Sequence, residues 1–164
     1  MRILFLSIIV FFNFIISSTL LQHIAILGIL PNTALIIVVC YATLRNDVEG
    51  ALLGFFAGLL QDIFFGRIIG VGALLMMFMG FFAGKPFRDF FKESYIAPLL
   101  LVAGASLTYE FMFYVINFLL LGRTNFIRYL GQIILPTTAY NLLFSVFIYK
   151  AVYSLERFLN GGNK

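Results

Sequence analysis

Six apolar runs follow one another along the chain, at about 3–21, 33–44, 48–65, 68–84, 95–121 and 129–153. The connections between them are short. A helix needs about 20 apolar residues to cross roughly 30 Å of hydrocarbon, so runs of this order point to a membrane. Composition agrees: of 164 residues, 62% are apolar and only 11% charged, with a mean hydropathy of +1.05. A soluble domain is nearer to about half apolar and about a quarter charged. The runs do not alternate apolar and polar at every second position, as a transmembrane barrel would. The expected fold is an all-α integral membrane protein, a bundle of about six transmembrane helices in one polytopic domain over 1–164.

The first run follows Met1 and Arg2 and in that respect looks like a secretory leader. Its length, the missing A-x-A site and the runs that follow argue for a retained helix. The second run is short and opens after the turn-forming pair Pro31-Asn32, while the fifth is long enough to tilt. Basic residues then orient the bundle. With a cytoplasmic N-terminus, the inner segments hold Arg2, Arg45, Lys85, Arg88, Lys92, Lys150, Arg157 and Lys164. The outer segments hold Arg67, Arg123 and Arg128. This bias places both termini in the cytoplasm. Tyr41, Tyr95, Tyr129 and Tyr153 fall near span ends, where amphipathic rings favour the headgroup region.

The net charge of +4 is spread over loops and ends, with no basic–aromatic patch to track phosphates, so nucleic acid is not an expected partner. Cys40 is the only cysteine and lies inside an apolar run, which excludes an intramolecular disulfide and makes it a small packing residue. His23 is the only histidine, no G-x-S-x-G or H-E-x-x-H occurs, and no Gly-rich stretch matches a P-loop. Asp47 and Asp89 fall in connections, so an intramembrane aspartyl dyad is missing. The chain is expected not to be an enzyme, with no metal and no cofactor.

What remains is a set of small and polar residues within the runs. Gly50, Gly54 and Gly58 share one face of the third helix, where glycine lets a second backbone come close; Gly80 and Gly84 repeat the spacing in the fourth. They serve either packing within the bundle or docking of another protein's helix. Asp62 closes the third helix, where the dipole disfavours negative charge and lipid disfavours any charge, so something must compensate it. Arg67, Gln61 and Asn32 are the candidates. Asp62 either structures the loop to Gly66 or binds a partner. Ser106, Glu110, Tyr114 and Asn117 draw a polar stripe on the fifth helix, Thr138, Asn141, Ser145 and Tyr149 draw another on the sixth, and Asn13 and Ser17 a weaker one on the first. Such stripes face the protein interior. They make interhelical hydrogen bonds or line a ligand or ion pocket.

The stretch from Pro31 to Gly84 carries a resemblance. Pro31-Asn32 opens one span; the next holds Gly50, Gly54, Gly58 and then Gln61-Asp62-Ile63-Phe64-Phe65-Gly66, continued by Arg67-Ile68-Ile69-Gly70-Val71-Gly72-Ala73-Leu74. This order and spacing resembles the MreD family of bacterial rod shape-determining membrane proteins, and length, span count and the charged loop after the fourth helix agree. The resemblance implies a non-catalytic subunit of the cell-elongation machinery in the bacterial cytoplasmic (inner) membrane, supporting cell shape and lateral peptidoglycan synthesis. It implies association with MreC, whose single transmembrane helix leads to an extracytoplasmic domain, and with the MreB and RodA-type synthase assembly. It also implies a fold similar to the six-helix substrate-binding component of energy-coupling-factor transporters. On that reading Pro31, Asn32, Gly54, Gly58, Gln61, Asp62 and Gly66 are candidate contacts to MreC, and no small-molecule ligand is expected. The alternative is a solute-binding component of a vitamin-type transporter, with Glu110, Asn117 and Asn141 lining the pocket. A third reading is a channel or proton-coupled carrier using Glu110.

Overall fold

The computed structural model describes residues 2–19, 29–66, 68–84, 96–121 and 126–161, and every element in it is a helix. In chain order these are α1 (Arg2–Thr19), α2 (Thr33–Leu44), α3 (Asp47–Phe65), α4 (Val71–Gly84) and α5 (Ile96–Leu121). A last rod joins α6 (Phe126–Tyr129), a π-helical segment (Leu130–Ile134) and α7 (Leu135–Gly161). The expected runs at 33–44 and 48–65 reappear as α2 and α3. The fourth starts at Val71 instead of 68, because residues 68–70 form a turn in which Gly70 takes φ 103°, a region costly for any side chain. The last starts at Phe126 instead of 129 and runs on to Gly161, since the π segment lets the helix continue through a local change of register. The end of the first run, His23, Arg67, the loop 85–94, Tyr95 and Arg123 lie outside the described residues.

Local chemistry sets the helix ends. Asn32 caps α2, its side-chain oxygen accepting from the Leu35 N–H at 3.2 Å. Only Arg45 and Asn46 separate α2 from α3, so the two helices must be antiparallel neighbours. Asn46 caps α3 through the Glu49 N–H at 2.8 Å, and its amide donates to the Glu49 carboxylate at 3.1 Å. Asp47 and Glu49 in that first turn also complement the helix dipole.

Direction alternates from helix to helix. Ser17, Asn32, Gln61, Val71, Phe118 and Tyr129 gather at one end of the bundle, and Tyr41, Glu49 and Glu156 at the other. Among the described residues, three helical stretches are long and apolar enough to cross a membrane by themselves: Asp47–Phe65, Pro98–Ile116 and Phe126–Arg157. The 12 residues of α2 span only about 18 Å. Its length is not dictated by lipid, because α1, α3, α4, α5 and α7 all pack around it and bury it on every side. Leu35, Ile36, Val38, Val39 and Cys40 are at most 1% exposed and form the centre of the core.

The outer surface is apolar. Phe11, Phe12, Phe56, Phe82, Leu143 and Phe147 are all more than half exposed. Such a surface would aggregate in water and suits a hydrocarbon solvent. At the Arg45 end, Arg45 forms an ion pair with Glu156, and the Tyr41 hydroxyl donates to Glu49 at 2.6 Å.

Candidate functional site

A second group of polar residues converges at the Asn32 end, and most of them are committed to holding helix ends together. The Asn32 backbone N–H donates to the Asn141 side-chain oxygen at 2.7 Å, and the Asn141 amide donates to the Ser106 hydroxyl at 2.9 Å. Gln61 donates to the capping oxygen of Asn32 at 3.3 Å. One network therefore ties the start of α2 to α3, α5 and α7. Asn141 and Ser106 are fully buried, where an unsatisfied amide or hydroxyl is costly, so each needs the other. Ser17 joins α1 to the same place by a 2.8 Å bond to the Thr33 hydroxyl.

Asp62, 5% exposed, is compensated differently from the expectation. Its Oδ2 accepts from the N–H of Gly70 at 2.8 Å and of Ala73 at 3.0 Å, so it caps α4 from the end of α3. The unfavourable C-terminal dipole of α3 is offset by the favourable N-terminal dipole of α4. Gln61 and Asn32 pair with each other and not with Asp62, and Arg67 lies outside the described residues. A methyl group on Gly72 would strike the Asp62 carboxylate, so that glycine makes room for the cap.

Gly54 and Gly58 are buried against α4. A Cβ on Gly58 would meet the Ala73 Cα at 2.6 Å, one on Gly54 the Met76 carbonyl, and one on Gly80 the Gly50 carbonyl. The close approach these residues permit is thus taken up inside the molecule. Of the two readings of this face, packing within the bundle is the one these contacts support, with α4 against Gly54 and Gly58. Pro31 is buried, Asn32 and Gln61 are half-buried, and Gly66 is exposed.

Among the described residues, two cavities open at this end. One of about 270 Å³ lies between Asp62, Gly66 and the aromatic rings of Phe113, Tyr114 and Tyr129. The other, of about 430 Å³, is lined by Asn32, Gln61, Phe65, Glu110 and Thr137 among others. Glu110 is 9% exposed. Among the described residues no three His, Cys, Asp or Glu side chains come together as a metal site.

A model of the family described as rod shape-determining protein MreD matches residues 1–159. The chain belongs to the MreD family. No curated protein and no solved structure matches it. As a member of a family of rod shape-determining bacterial membrane proteins, it takes part in rod shape determination and associates with the membrane and the rod-shape complex. The helices long enough to cross a bilayer agree with that membership.

Within this MreD-family chain, the expected stripes divide. Ser106, Glu110 and Tyr114 on α5, and Asn141 and Ser145 on α7, are buried; the side chain of Asn117 lies outside the described residues. Thr138 bonds back to the Ile134 carbonyl at 2.8 Å, while Thr137, four residues before Asn141, faces the larger cavity. Spacings of three and four both lie near one helix face, so periodicity did not separate these two threonines. The Arg45–Glu156 pair was also missed, since nothing local relates residues so far apart in sequence.

Proposed function

We propose that the chain is the non-catalytic membrane subunit that holds MreC within the rod-shape complex and so supports lateral peptidoglycan synthesis. The family match over residues 1–159 carries this reading. The contact region we assign is the Asn32 end, with Pro31, Asn32, Gln61, Asp62 and Gly66 at its polar edge. Exposed Ile63 and Phe64 beside them offer an apolar helix somewhere to pack. The wider assembly, with MreB and RodA-type synthases, follows from the same family.

We further propose that the unit sits as a single six-crossing domain in the cytoplasmic membrane, with both termini inside. A fold similar to the substrate-binding components of energy-coupling-factor transporters belongs to this proposal and rests on the family alone. Reporter fusions at each terminus test the orientation, and an extracytoplasmic signal from either one overturns it.

The deciding experiment is co-purification in mild detergent of the tagged protein with MreC from the same organism. A stable complex is expected, weakened by Gln61→Ala and by Phe64→Ala by more than the small loss of melting temperature each causes. Wild-type yield from both variants removes the site assignment. Failure of any complex to form from folded, monodisperse protein removes the mechanism.

A further inference from the structure

The larger cavity at the Asn32 end contains a carboxyl group whose role the contacts around it do not explain. Glu110 is 9% exposed and lines this space of about 430 Å³. The other buried polar groups nearby are spent: Ser106 and Asn141 on each other, Asp62 on the N-terminus of α4. Among the described residues Glu110 makes no hydrogen bond or ion pair. A carboxyl buried in this way is either kept neutral or satisfied by a counter-charge or a donor.

The cavity wall selects the sign of what would fill it. Among the described residues no basic side chain lines it, while Gln61 and Thr137 offer uncharged hydrogen-bonding groups. Phe65 adds an aromatic ring, whose face attracts cations. Leu30 and Ile133 supply apolar walls. The volume lies within the roughly 300–1,000 Å³ of small-molecule sites, and a few polar groups set in a mainly apolar wall is their usual character.

We infer that this cavity binds a small organic cation: a primary or secondary ammonium, held by Glu110 and oriented by Gln61 and Thr137, on a short apolar body. The source is either a free amine or the headgroup of an amino-lipid, which present the same chemistry to Glu110. The site shares Pro31, Asn32 and Gln61 with the contact region assigned to MreC but does not rest on that reading, since its ligand is tested on the chain without a partner.

Hexylammonium is the probe, with hexanol and hexanoate as isosteric controls, added to the full chain in phosphatidylglycerol nanodiscs. Hexylammonium raises the melting temperature saturably, and the two controls do not. Glu110→Gln keeps the shape of the wall and weakens the apparent affinity at least about tenfold, as loss of a buried charge pair does. Thr137→Leu, which crowds the cavity without touching the carboxyl, weakens it as well and serves if Glu110→Gln does not fold. Repeating the titration in phosphatidylethanolamine nanodiscs separates the sources. Loss of the hexylammonium response there identifies the lipid headgroup as occupant, and an unchanged response identifies a free amine. The inference is overturned if wild type does not respond to hexylammonium, if Glu110→Gln responds equally, or if hexanoate binds as well.

Discussion

The carboxylate of Asp62 accepts the backbone N–H of Ala73, eleven residues further on, at 3.0 Å. Through this bond and the one to Gly70, the last turn of α3 organises the first turn of α4. Asp62→Ala leaves two helix-end donors without their acceptor and is expected to cost about 2 kcal/mol. Asp62→Asn, which keeps an acceptor oxygen, costs less. Thermal melts of both variants in the same detergent check the order, and equal melting temperatures for Ala and wild type would show that the cap is dispensable. MreC-binding data on Asp62 variants are meaningful only beside such melts.

Glycine substitutions should divide sharply by environment. Gly58→Ala drives a methyl group into the backbone of α4 at Ala73, and is expected to lose about 1–3 kcal/mol through overpacking. Gly72→Ala meets only the movable end of Asp62 and costs less, at the expense of the cap. Gly104 on α5 has nothing within 4 Å of the position a Cβ would take, so Gly104→Ala is neutral or stabilising, by up to about 1 kcal/mol. Melting temperatures of the three in parallel decide it. A Gly58→Ala as harmless as Gly104→Ala would contradict the packing of α3 on α4.

Asn141 and Ser106 should be energetically coupled. Each single alanine leaves the other's polar group buried without its partner, whereas the double variant removes both. Interhelical hydrogen bonds in membrane proteins average about 0.6 kcal/mol and reach about 1.7, so a coupling within that range is expected. A double-mutant cycle by reversible unfolding measures it. Additive losses would mean that the 2.9 Å bond contributes nothing.

The ion pair at the opposite end is partly shielded, with side-chain exposures of 18% for Arg45 and 10% for Glu156. Removing one partner leaves a poorly solvated charge, so Glu156→Ala is expected to cost about 1.5–3 kcal/mol. Arg45→Met combined with Glu156→Met recovers part of that loss, because neither charge is then stranded. Melts of the single and double variants test this, and a double variant worse than the sum of its parts would refute it.

Much of the fold was legible in the chain. The bounds of α2 follow from Pro31-Asn32 at one side and Arg45-Asn46 at the other, both local signals. The stripe through Ser106 and Glu110 is likewise a local property of a helix, and the side buried is the side predicted. Two features were hidden for different reasons. The π segment at Leu130–Ile134 has no pattern in the residue types that would announce it. The partner of Asp62 is backbone, and backbone donors are the same at every position, so only the path of the chain through Gly70 could single out these two.

Sequence alone determined that the chain lives in lipid, how many apolar segments it has, and which residues turn a polar or small face inward. Those properties depend on residue type and on spacings of three or four, which any helix converts into faces. Tertiary structure decided what each face meets. It placed α4 on Gly54 and Gly58, and it bound Asn32 to Gln61 and Asn141. It also left Glu110 facing a cavity while its neighbours found partners. These outcomes turn on distances between helices far apart in the chain. Such distances arise from the packing of all the helices around α2 at once, and no single segment encodes them.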